Sequence, residues 1–115
     1  MKLHRWRDIA VEQMNPLVTR QVVHSDSMTI ARLNLRQGAI VPRHHHVNEQ
    51  VANVERGRLR FVFDDREAIV EGGESMQIAS NVPHMVEALE DSVVVDLFSP
   101  VREDWLRGDD AYLRR

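Results

Sequence analysis

The sequence predicts an all-β protein, a single-domain jelly-roll β-barrel finished by a short C-terminal helical turn. Three observations predict it. The 115 residues suffice for one hydrophobic core and are too few for two, so residues 1–115 read as one domain. Apolar residues fall in short extended runs, about eight or nine of them, at the regular spacing of a sandwich or barrel. Turn-forming residues separate the runs, and no linker, low-complexity tract or long repeat interrupts them.

Taken in order, the first run is 19–24 (TRQVVH), short and β-branched. The next, 27–36 (SMTIARLNLR), alternates apolar and polar, as a strand with two unlike faces does, and Gln37-Gly38 ends it. Further strands are predicted at 39–46, 50–55, 59–63, 68–71, 75–78, 84–88 and 93–99. Arg56-Gly57, Asp64-Asp65, Gly72-Gly73, Ser80-Asn81 and Glu90-Asp91 mark the turns. Pro100 stops the last strand, and 103–108 (EDWLRG) predicts one helical turn closed by glycine. Trp105, Leu106, Tyr112 and Leu113 are expected to pack this tail back on the barrel as core filling.

Composition removes several function classes. A formal net charge of -3 gives no general attraction to phosphate backbones, so no nucleic-acid partner is expected. No window approaches the ~20 apolar residues that span a bilayer, and the first residues carry no signal-like apolar core. No membrane partner and a cytoplasmic location are therefore expected. The absence of cysteine excludes disulfides, thiolate metal sites and cysteine nucleophiles, so any metal must be held by nitrogen and oxygen.

The chemistry gathers at two histidine segments. His44 and His46 stand at i and i+2 of a predicted strand, so their side chains leave one face and His45 leaves the other. Gln50 or Glu49 can add an oxygen donor, and His84 lies in a second extended segment, Val82-Pro83-His84-Met85-Val86. Three imidazoles and one oxygen suit one divalent transition metal, zinc, nickel, manganese or iron, with positions left for water or substrate. A closed structural metal site is disfavoured on the same ground. An isolated histidine triplet reads as an exposed polar cluster, but its surroundings here point the other way.

Gly38, His44, His46, Gln50 and Gly57 resemble the first motif of the cupin superfamily, G-x5-H-x-H-x3-4-E-x6-G, with glutamine in place of glutamate. Gly73, Asn81 and His84 resemble the second, G-x5-P-x-G-x2-H-x3-N, where glycine and histidine match and Asn81 stands in for a turn glycine. The two motifs place the cupin core at 38–57 and 73–88. Small cupins often pair through N-terminal strands, so a homodimer is expected, with 17–23 as the pairing segment. The resemblance tightens from Ile40 to Arg115, where PRHHHVNEQVANVERGRLRF, NVPHMVEALEDS and DLFSPVREDWL are similar to pectin-degradation cupins of the KdgF type. It implies that His44, His46, Gln50 and His84 bind the metal, and that Asp96, Phe98 and Arg102 serve the ketonisation of 4,5-unsaturated monouronates, small anionic substrates. Other enzymes on the same scaffold, a dioxygenase or a lyase, and a non-enzymatic small-molecule module are the alternatives.

Sequence physics alone also marks Asp96. It sits in a strand flanked by valines on both faces, where a carboxylate is costly unless paired or functional. Phe98 shares its face, and Arg102 follows Pro100 close enough to fold over the barrel mouth. An Asp96–Arg102 salt bridge anchoring the tail and a catalytic pair are both expectations for this site.

Overall fold

Ten strands build two antiparallel sheets in the computed structural model of the chain, which describes residues 1–115. The strands are β1 (Glu12–Asn15), β2 (Val18–His24), β3 (Thr29–Leu35), β4 (Ile40–His44), β5 (Glu49–Arg56), β6 (Arg58–Phe63), β7 (Glu67–Glu71), β8 (Glu74–Ile78), β9 (His84–Ala88) and β10 (Ser92–Ser99). The larger sheet runs β1-β2-β3-β10-β5-β8 and the smaller β4-β9-β6-β7. The helix α1 (Glu103–Leu106) and a 3-10 turn, Ala111–Arg114, end the chain.

The alternation read in the sequence sets the faces. In β3, Thr29, Ala31, Leu33 and Leu35 are buried while the residues between them are half-buried. Register carries that inner face across the sheet: Ala31 pairs with Asp96 of β10, and Asp96 with Ala52 of β5. Leu59 and Phe61 of β6 and Val86 of β9 answer from the smaller sheet, and one apolar cluster fills the space between. The core is aliphatic at one end and polar at the other, where His46, Gln50, His84, Asp96 and Arg102 are buried. Two turns show why the sequence spends special residues on them. Gly57 has φ 96°, and a Cβ there would collide with Ser92 Oγ and the Asp91 carbonyl. Asn81 takes φ 62°, the left-handed turn expected of it.

Three sequence expectations change. β1 and a 3-10 turn at Trp6–Asp8 were not predicted, because Met14 is the one fully buried side chain they contribute. The predicted strand 39–46 ends at His44, after a register irregularity between Val41 and His44. Leu106 does not pack on the barrel: it is 55% exposed, whereas Trp105 and Leu113 are buried. Within the chain β2, which holds the expected pairing segment 17–23, is paired on both sides, and β1 forms the border of the sheet.

Candidate metal centre

Three strands and one loop bring the four donors together. His44 ends β4 and His84 opens β9, directly opposite each other in register. His46 arrives from the loop after β4, and Gln50 from the inner face of β5. The ring centroids lie 4.4 Å (His44–His84), 5.2 Å (His46–His84) and 5.6 Å (His44–His46) apart. One ligand atom from each histidine falls within 4.8 Å of the other two. His45 is exposed, as the i+1 position requires, although His46 reaches the site through a loop rather than a regular strand. Glu49 also turns outward, to Gln77, so Gln50 is the oxygen donor that faces the histidines.

Hydrogen bonds fix the state of each imidazole. Nδ1 of His44 lies 2.8 Å from the Pro42 carbonyl, Nδ1 of His84 2.8 Å from that of Val82, and Nδ1 of His46 3.0 Å from that of Asn48. A carbonyl can only accept, so each Nδ1 carries the proton and each Nε2 presents a lone pair. Burial favours the neutral rings, pushing His44 down to about 3 and His46 down to about 4 and lowering His84 as well. Gln50 is oriented by its Nε2, which donates to Asp96 Oδ1 at 3.1 Å. Its Oε1 then faces His46 Nε2 at 3.0 Å, two acceptors with no proton between them. A cation resolves that contact, and the set of three imidazoles and an amide oxygen fits a metal ion.

Asp96 stands behind Gln50, 8% exposed, in the gap left by Ala31 and Ala52 on the neighbouring strands. Burial pushes its carboxyl up to about 7, against the Gln50 hydrogen bond and the charge of Arg102. The expected Asp96–Arg102 salt bridge is not formed. Arg102 instead donates Nε and Nη2 to Asp104 at 3.0 and 2.8 Å, because Asp104 is two residues away at the start of α1. Its guanidinium lies over Phe98 and Trp105, 4.5 and 4.2 Å from the ring centroids. Nη2 also donates to the Tyr112 hydroxyl at 2.9 Å, and nothing accepts from Nη1. A cavity of about 40 Å³ is lined by His44, Gln50, His84, Asp96, Phe98 and Arg102, together with Tyr112 and apolar core residues.

Residues 31–99 match the Cupin domain family. The chain is a cupin. This cupin is 31% identical over 98 residues to the pectin degradation protein KdgF of Dickeya dadantii, covering 83% of this chain and 89% of that one. The cupin fold recurs in KdgF from Halomonas sp., with a TM-score of 0.80 and 24% identity over 86% of this chain and 94% of that one. It recurs again in an RmlC-like cupin from Shewanella frigidimarina, with a TM-score of 0.84 and 22% identity over 91% and 96%. Within the cupin frame, sequence reasoning missed three residues of the site: Asn48, Asp104 and Tyr112. Tyr112 was expected only to fill core, and it lines the cavity.

Proposed function

We propose that this cupin is a metal-dependent enzyme that opens 4,5-unsaturated monouronates to their linear keto forms. One observation carries the reading: three of the four metal donors (His44, Gln50 and His84), the buried Asp96 and the cationic edge of Arg102 line a single cavity. The similarity to KdgF of Dickeya dadantii, a pectin degradation protein, supports the substrate class. A divalent metal on His44, His46, Gln50 and His84 would supply electrostatic stabilisation of oxyanions.

The remaining chemistry falls to the chain. Arg102 binds the substrate carboxylate through the guanidinium edge that Asp104 leaves free. Phe98, 3% exposed, keeps water from the sugar ring. Ring opening removes the proton of the anomeric hydroxyl, forms the C1 carbonyl and breaks the bond from C1 to the ring oxygen. The electron pair stays on that oxygen as an enolate across C5 and C4. Asp96 moves the proton, taking it from the hydroxyl and returning one to C4, which leaves a ketone at C5.

The test follows loss of absorbance of an unsaturated monouronate as its conjugated double bond is consumed. Wild type should accelerate it, and Asp96→Asn should keep metal and fold while losing about 10²–10⁴-fold in rate. A metal-loaded wild type without activity on this substrate removes the uronate reading. Oxygen consumption with bound iron would favour a dioxygenase.

A further inference from the structure

Two observations about the cavity do not fit a site ready for a sugar acid. Its volume of about 40 Å³ admits only a few waters, each needing roughly 10–15 Å³, and no pyranose ring. One residue also covers both halves of the site. The Tyr112 ring stacks on His44, with centroids 4.4 Å apart and an interplanar angle of 26°. Its hydroxyl oxygen accepts from Arg102 Nη2 at 2.9 Å and from Trp105 Nε1 at 3.1 Å. The metal ligand and the anion-binding edge are thus masked by the same side chain.

The hydrogen bonding at that oxygen is incomplete. Two donors converge on it, and the Nη1 beside Nη2 has no acceptor. A phenol supplies one oxygen to an edge that can serve two. A phenol, neutral at ordinary pH, adds no charge to the hydrogen bond it accepts from the guanidinium. A carboxylate would fill all three positions: one oxygen on Nη2 and the indole N–H, the other on Nη1. Tyr112 rides on the 3-10 turn after Gly108, whose φ is 79°, and is held at its sides by Asp110 and Leu113.

We infer that Tyr112 is a placeholder gate: the substrate carboxylate displaces its hydroxyl, and Trp105 Nε1 becomes a binding donor beside Arg102. This rests on the proposed reading only in taking the ligand to be an anionic sugar acid. Trp105 is thereby assigned a role in recognition that its burial alone does not reveal. Gate opening costs part of the binding energy, so affinity is lowered by the fraction of closed molecules.

The test uses zinc-loaded, 15N-labelled full-length protein and D-galacturonate, a saturated sugar acid, as the probe. The indole N–H resonance of Trp105 is identified by its loss in Trp105→Phe, which leaves that of Trp6. Galacturonate should shift the Trp105 signal. Tyr112→Phe and Tyr112→Ala should bind it about tenfold more tightly, the equivalent of one hydrogen bond to a charged donor released in advance. Trp105→Phe should bind it more weakly. Unchanged or weaker binding by Tyr112→Phe, an indole signal unmoved at saturation, or no binding by any variant overturns the gate. The uronate reading is judged separately: a shifted indole with no turnover of the unsaturated substrate keeps the gate and removes that reading. Turnover by wild type with kcat/KM falling in Tyr112→Phe does the reverse.

Discussion

Asn48 shows how much of this site depends on a residue that carries no ligand. It is 2% exposed, and its carbonyl accepts from Nδ1 of His46, which sets that ring. Its side-chain amide donates to the carbonyls of Pro100 and Val101, the two residues that lead into Arg102. One residue therefore ties a metal ligand to the anion-binding arginine. Without the amide the loop from His46 to Glu49 loses its anchor, and outer hydrogen bonds of this kind typically govern about 10–100-fold in metal affinity. Asn48→Ala should therefore bind zinc about tenfold more weakly in competition with a chelator. His84→Ala should lose the metal, and the exposed His45→Ala should match wild type. The ligands were legible because histidine spacing and strand alternation act over a few residues. Asn48 was not, since its partners stand 52 and 53 positions away. Asp104 was within reach of a local reading, but nothing in the sequence said that Arg102 would choose it over Asp96.

Strands whose two faces meet unlike environments announce themselves, and here most did. β3 alternates through its whole length and β5 up to Glu55, and β6, β8, β9 and β10 lie within a residue or two of their predicted limits. The elements that escaped are those whose order comes from distant contacts. The C-terminal turn is one. Asp110, 5% exposed, accepts from Arg20 of β2 at 2.9 Å and from Arg114 at 3.1 and 3.2 Å. Asn15 of β1 donates to the Leu113 and Arg115 carbonyls, so β1 and the tail hold each other. Burial works to raise the Asp110 pKa, but the hydrogen bonds and charges of Arg114 and Arg20 outweigh it, and the group lies below its ordinary 3.8. A depressed carboxyl contributes stability that is present above its unfolded value and disappears as pH falls through the lower folded value. Asp110→Asn should thus melt below wild type at neutral pH, and the gap should close as pH falls from the ordinary 3.8 through the lower folded value. A gap in melting temperature independent of pH would mean that the ion pair does not anchor the tail.

Two sheets packed face to face leave two outer surfaces, and they are unlike. The smaller sheet shows Arg60 bridging Glu67 and Glu87, and exposed Arg58 paired with Glu71, a surface suited to water. The larger sheet carries a row of aliphatic side chains instead. Val23 of β2 pairs with Ile30 of β3, Ile30 with Leu97 of β10, and Leu97 with Val51 of β5. All four are half-buried and lie on the face away from the core. A contiguous apolar stripe across four strands is what an association surface presents, and single scattered aliphatics are not. We propose that a homodimer forms through this face, with β1, a border strand of the sheet, beside it. Isologous packing would bring the stripe against its own copy, so one substitution removes two contacts per dimer. Light scattering after size exclusion should give about twice 13.3 kDa for wild type. Leu97→Glu places a charge in the middle of the stripe without touching the inner face that holds Asp96 and Phe98. It should yield a monomer that still binds one metal per chain. A wild type that runs as a monomer, or a Leu97→Glu variant that remains dimeric, would move the interface elsewhere or remove it.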